Sequence, residues 1–236
     1  MTGVPFVVPF GRDGAADRAA RSWAGGAFDI RNRPGEGGLL GVKLANELAR
    51  AGNPVLLLAT PSTHILLPAR LGAAARVDDS FRPIAELPSA PNVLLVSPRL
   101  GVATVDGLID RARREKLTYA SAGTGQTIHV CTALFCAQAG ISMTHRPYDA
   151  GSATAYDDLL AGRVHVYFDN LLACRERIER GDVIMLASSP LDVWLAVFGV
   201  NPAERPIDAD PAVAARLSER IEASRAGWEQ ALAASR

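Results

Sequence analysis

Residues Leu117 to Val130 read LTYASAGTGQTIHV, an apolar run that gives way to Ser121, Ala122, Gly123, Thr124, Gly125, Gln126 and Thr127 and then to a helical-looking stretch. Two glycines among small donors at the end of a strand let a backbone approach something small and polar. The phosphate loop G-x-x-x-x-G-K-[ST] is not met: Gln126 stands in the lysine position and Ala120 where the first glycine belongs, so a triphosphate would lack its main point charge. The dinucleotide pattern G-x-G-x-x-G fails at Ile128. What remains is strand, glycine turn and helix N-terminus. Free N–H groups and the positive end of the helix dipole there suit a carboxylate or another small anion. The competing reading is a helix cap with flexible glycines.

Other candidate residues also follow apolar runs. PFGRDGAAD holds Phe10, Arg12, Gly14 and Asp17; TPSTH holds Thr60, Ser62 and Thr63; DNL holds Asp169 and Asn170. A guanidinium at Arg12 could pair bidentately with a ligand carboxylate, or turn outward and pair with Asp13 for little gain. Asp17 suits a helix-capping role, and Asp169 and Asn170 suit a turn. Nucleophilic catalysis reads poorly, because Ser152 sits in AGSAT without the second glycine of G-x-S-x-G. The histidines at 64, 129, 145 and 165 lack metal spacing such as H-E-x-x-H. His129 falls in the first helical turn after the glycine loop, and His165 alternates with Val164 and Val166; each reads as a hydrogen-bonded polar side chain before a catalyst.

The elements that must position these groups are strands at Pro5–Pro9, Val55–Ala59, Val93–Ser97, Leu117–Ala120, Val164–Asp169, Ile184–Ser188 and Trp194–Phe198. Helical faces carry Leu40, Leu44 and Leu48; Val105, Leu108, Ile109 and Ala112; and Tyr156, Leu159 and Leu160 before Gly162. A last helix runs from Pro211 through Ala223 or on to Ala234. Strands alternating with helices predict an α/β fold with a mostly parallel sheet. Ligands of such sheets bind beyond the carboxyl ends of strands, so the polar strand-end loops predict one shared cleft.

Composition narrows the function classes. The chain has 236 residues, 48% of them hydrophobic, with 25 Lys plus Arg against 25 Asp plus Glu. That balance argues against a nucleic-acid partner, and no apolar run approaches the length of a membrane span. Three cysteines, at 131, 136 and 174, form no disulfide framework and are expected to be small buried hydrophobes. No signal peptide is visible; the chain is expected in the cytoplasm if full length, or exported with its signal removed. No metal or cofactor is expected.

The motifs together resemble the solute receptors of tripartite tricarboxylate transporters, the periplasmic Bug-type receptors. The carrying stretches are VVPFGRDGAAD (Val7 to Asp17), NRPGEGG (Asn32 to Gly38), Tyr119 to His129, HRPY with a small-residue turn (His145 to Ser152), DLLAG (Asp158 to Gly162) and FDN (Phe168 to Asn170). The resemblance implies a type II periplasmic-binding-protein-like α/β fold with two lobes, each a central sheet flanked by helices. Its ligand cleft lies between them. Mapped here, residues 1–97 plus 188–236 form a discontinuous first lobe and 98–187 the second, with crossings near Ser97 and Ser188. The resemblance also implies a non-enzymatic, periplasmic, monomeric receptor for a small carboxylate, serving membrane permease subunits. It adds His129, Tyr148 and Ser152 to the ligand-facing residues. The chain departs from the family at Arg12 and Asp13, which interrupt a usual P-G-G, at Gln126, where a small hydroxyl is usual, and at SSPLD, Ser188 to Asp192, where members carry a longer segment. The alternatives are an α/β enzyme using Asp169 or His129 as base, and a cytosolic sensor module of the same fold.

Overall fold

β3, Val55–Ala59, is an uninterrupted apolar run buried at every position, as expected of a strand covered on both faces. It anchors a five-stranded sheet of order β2-β1-β3-β10-β4, built with β1 (Pro5–Val8), β2 (Asp29–Asn32), β4 (Arg82–Leu87) and β10 (Leu195–Val200). A second sheet has order β7-β6-β8-β5-β9, from β5 (Asn92–Val96), β6 (Thr118–Ser121), β7 (Thr144–Pro147), β8 (Val166–Asn170) and β9 (Ile184–Ser188). The computed structural model describes residues 3–148, 152–200 and 210–234. The turn residues 149–151 and the stretch around Pro202 lie outside them.

Both sheets are mixed, which corrects the mostly parallel expectation. In each, three neighbouring strands run parallel (β2-β1-β3 and β7-β6-β8) while β10 pairs antiparallel with β3 and β4, and β5 antiparallel with β8 and β9. The antiparallel member is in each case a strand entered from the other sheet. The chain leaves the first sheet after Leu87 and joins the second at Asn92, ahead of the passage expected near Ser97. It returns between Ser188 and Leu195.

The helices are α1 (Ala15–Ala24), α2 (Leu39–Arg50), α3 (Leu67–Leu71), α4 (Val105–Arg114), α5 (Thr127–Ala139), α6 (Ser152–Leu160), α7 (Leu171–Glu179) and α8 (Pro211–Ala234). Alternation along the strands sorts the core into faces. Phe6, Val8, Leu56, Leu58, Leu195 and Val197 pack with Ala20 and Ala24 of α1. Val93, Leu95 and Tyr167 pack with Ala155, Tyr156 and Leu159 of α6. The opposite faces of both sheets share one cluster, with Val7, Leu57, Leu94, Phe168, Phe198 and Trp228 among its members. A fully buried tryptophan such as Trp228 contributes about 3 to 5 kcal/mol by the cost of its truncation. The cysteines are free; Cys131 and Cys174 are buried, and Cys136 is half-buried.

Candidate functional site

A cavity of about 100 Å³ lies between the two sheets. It sits beyond the carboxyl ends of β1, β3, β6 and β8, beside the first residues of the antiparallel β5 and β10. From the first sheet come Phe10 and Arg12 after β1, and Thr60 and Ser62 after β3. From the second come Ala122 after β6, and Asp169 and Asn170 at the end of β8.

Helix starts from both sheets face this space. Gly14, the N-cap of α1, lines it with Ala15 and Ala16; Gln126, the N-cap of α5, lines it with Thr127 and Ile128; Ser152 opens α6 there. Neither Gly14 nor Gln126 caps its helix with a side chain. The first-turn N–H groups of such helices have no intrahelical partner, and the dipoles add partial positive charge. Thr127 is the exception, its N–H donating to Ser62 Oγ at 3.1 Å across the two halves.

Two charged side chains line the cavity among the described residues, Arg12 and Asp169. Arg12 is exposed at the mouth and makes no hydrogen bond or ion pair among the described residues. The expected surface partner Asp13 instead adopts a left-handed φ of 65° and donates its N–H to Asp17. Asp169 is buried. Its Oδ2 accepts from Tyr156 Oη at 2.6 Å and its Oδ1 from Asn170 N–H at 2.8 Å. Burial pushes its carboxyl up to about 6, against the pull of those two donors.

Eight expected residues lie outside the cavity lining, each with another task. Burial would raise the Asp17 carboxyl, but hydrogen bonds from Arg21, Asn32 and the Asp13 N–H overcome it and hold the group low. Thr63 Oγ1 closes the turn after β3, accepting from Thr60 N–H and donating to Thr60 O. Ser121 Oγ bonds the backbone of Gly123 and His145 Nε2, the latter at 2.6 Å. The serine is fully buried, so this pair presents no nucleophile. Gly123 supplies a φ of 131° that other residues rarely adopt, so Gly123→Val would distort the turn rather than report on ligand approach alone. Thr124 O accepts from Arg70 Nη1 at 2.9 Å. A Cβ at Gly125 would fall 2.0 Å from that same nitrogen. The glycine thus admits a guanidinium from the first half of the molecule. His129 Nδ1 accepts from Gly125 N–H; burial, then His145 and Arg70, push it down to about 4. Tyr148 Oη donates to Asp158 at 2.5 Å.

Sequence reasoning missed Tyr167, Asn92, Val193 and Leu195, all of which line the cavity. Tyr167 stands two residues before Asp169 on one strand, so period-two alternation places both on one face. Asn92 opens β5 directly across from Asn170. Two of the lining residues, Thr60 and Tyr167, carry buried hydroxyls, Thr60 Oγ1 and Tyr167 Oη, with no hydrogen-bond partner among the described residues.

Residues 15–193 match the model of the tripartite tricarboxylate transporter family receptor. The chain is similar to the "UPF0065 protein in tcbD-tcbE intergenic region" of Pseudomonas sp. (strain P51), 32% identical over 200 residues, covering 80% of this chain and 58% of that protein. It spans just under three fifths of the length of the curated relatives it matches. Among solved structures, R. palustris Rpa4515 with adipate superposes with a TM-score of 0.79 at 26% identity, covering 99% of this chain and 97% of that one. MatC from Rhodopseudomonas palustris with bound malate superposes with a TM-score of 0.82 at 20% identity, covering 98% of each. These likenesses identify the fold as that of type II periplasmic binding proteins.

Proposed function

This chain belongs to the tripartite tricarboxylate transporter receptor family, and from that premise we propose that it captures a small organic acid between its two halves and hands it to membrane permease subunits. The observation that carries the reading is the pair of uncapped helix starts, α1 from one sheet and α5 from the other, opening on one cavity with Arg12 at its mouth. Taking a carboxylate out of water costs several kcal/mol. Three or four hydrogen bonds to the charged group, at roughly 1.5 to 3 kcal/mol each, offset that cost. The adipate bound by the R. palustris protein supports a carboxylate as the ligand class.

The halves act as lobes, one built on the sheet of β1 to β4 with β10 and the other on the sheet of β5 to β9. Ligand shifts their open–closed equilibrium by preferring the closed arrangement. We place the work of such a receptor in the periplasm, in keeping with its family. Catalysis is not required: His129 lies outside the cavity and Asp169 is held by Tyr156 and Asn170. A thermal-shift screen of aliphatic and aromatic carboxylates, with the matching primary amides as controls, tests the reading. An acid at 100 times its Kd stabilises by about 2.7 kcal/mol, which for a chain of this size raises Tm by roughly 5 to 10 °C. A screen in which no acid exceeds its amide overturns it.

A further inference from the structure

We propose that the inner end of the cavity selects a short monocarboxylate that carries a hydrogen-bond donor, a hydroxyl or an ammonium, on its apolar body; the inference rests on the carboxylate-receptor reading above.

Two hydroxyls and one carboxylate define that end. Tyr167 Oη is fully buried, and Thr60 Oγ1 belongs to a residue only 5% exposed. Both residues line the cavity, one from each sheet, and neither hydroxyl has a partner among the described residues. Buried polar groups are almost always hydrogen-bonded, so this pair calls for a polar group on the occupant. Asp169 lies on the same face of β8 as Tyr167. Each of its oxygens already takes one donor, and a carboxylate has room for about four, so acceptor capacity remains. The nearby phenol of Tyr156 donates to Asp169 and makes no hydrogen bond with Tyr167 Oη.

The rest of the lining limits the ligand. Phe10, Ile128, Val193 and Leu195 form apolar walls. Arg12 is the one cation lining the cavity among the described residues, matched to one carboxylate. A second carboxylate at the inner end would meet Asp169 with like charge in a water-poor space. The volume of about 100 Å³ is below the roughly 150 Å³ that admits benzene, so the body is short.

Titration calorimetry at pH 7.5 with four acids of equal chain length tests this: butyrate, 2-hydroxybutyrate, 2-aminobutyrate and succinate. The hydroxy or the amino acid should bind at least tenfold tighter than butyrate and tighter than succinate, and which of the two wins identifies the donor. Tyr167→Phe should bring the preferred acid within threefold of butyrate, and Asp169→Asn should narrow the deficit of succinate. Tyr167→Phe deletes a hydroxyl with no partner among the described residues, so its ligand-free Tm should be no lower than that of the parent; if it does not fold, Thr60→Val carries the same test at the hydroxyl from the first sheet. Equal binding of butyrate and both donor-bearing acids, a tenfold preference that survives Tyr167→Phe, or succinate as the tightest ligand overturns the inference and leaves the receptor reading standing. Failure of all four acids, together with a screen in which no carboxylate binds, overturns both.

Discussion

Replacing Asp169 by Asn removes a charge that the fold bears at a cost. Burial raises this carboxyl from 3.8 to about 6, a difference of some two units. At 1.36 kcal/mol per unit, the ionised side chain disfavours the native state by about 3 kcal/mol at neutral pH. The surroundings act in both directions: Tyr156 on α6, Asn170 on β8, Arg177 on α7 and Arg18 on α1 favour the charge, while burial opposes them and prevails. The folded state therefore holds the proton more tightly than the unfolded chain, and its stability from this group rises as pH falls from above 6 toward 4. Asn keeps an acceptor for Tyr156 without the charge, while the Asn170 N–H loses its acceptor, a cost of about 1 to 3 kcal/mol that removal of the charge offsets. Asp169→Asn should be at least as stable as the parent at pH 7.5, and the parent should gain about 1.4 kcal/mol on the variant by pH 5. Urea denaturation of both proteins at the two pH values measures this. All other titrating groups are common to the pair and largely cancel in the difference. A variant less stable than the parent at pH 7.5, by an amount unchanged at pH 5, would refute the argument.

Two further predictions concern the first strand-end loop. Arg12→Ala should weaken carboxylate binding at least tenfold, about 1.4 kcal/mol, and reduce its salt dependence; equal affinities of the two proteins at low and high salt in titration calorimetry would leave Arg12 without a binding role. Gly41→Ala would put a Cβ 2.6 Å from Pro9 Cα and 3.1 Å from Arg33 O, backbone atoms that cannot swing aside, so the roughly 1 kcal/mol that alanine gains inside a helix is outweighed by about 1 to 3 kcal/mol of overpacking. Its denaturation midpoint should drop, and because Pro9 leads into Phe10 its ligand affinity should drop as well; a midpoint at or above the parent value contradicts the packing argument.

The strands legible in the sequence are those with an apolar run, most plainly the ones covered on both faces; β9, an edge strand, was legible through Ile184, Met185 and Leu186. VLLLA and NVLLV are buried throughout, and an unbroken apolar run is what such a position demands. DIRN, RPIAEL and THRP were missed because β2, β4 and β7 are edge strands carrying charge and proline, the composition that protects an edge. Strand direction left no local trace either, since β5 and β10 read like their parallel neighbours. At the site, position at a strand end identified Phe10, Arg12, Thr60, Ser62 and Asp169 as cavity residues, but it could not separate a glycine that admits a ligand from one that admits a neighbouring side chain. Gly125 is the second kind, and its neighbour Arg70 lies 55 positions earlier in the chain. Tyr167 was readable by alternation from Asp169, yet it looked like one more apolar strand residue among Val164, Val166 and Phe168.

The short segment after β9 is not loose. Its Ser189 N–H donates to Asn92 O, and Asp192 accepts a two-pronged contact from Arg220 of α8 at 2.6 and 2.8 Å. Arg220 also reaches Glu86 at the end of β4 and Ser89 in the outgoing passage. Trp228 Nε1 donates to Asp192 O, and Trp194 Nε1 to Ser224 Oγ. One helix thus grips both passages between the sheets, while its body packs against β4 on one side and α5 on the other. Asn170 extends the link to the cavity: its side chain donates to Ala90 O in the outgoing passage, and it lines the cavity together with Asn92 and Val193 beside the two passages. In the receptor reading, any rotation of one half against the other must therefore disturb residues that touch the ligand. That is the differential contact a ligand needs to shift a conformational equilibrium. In the receptor reading, the geometry of closure therefore rests on the hydrogen bonds that Arg220, Trp194 and Trp228 make between α8 and the returning passage.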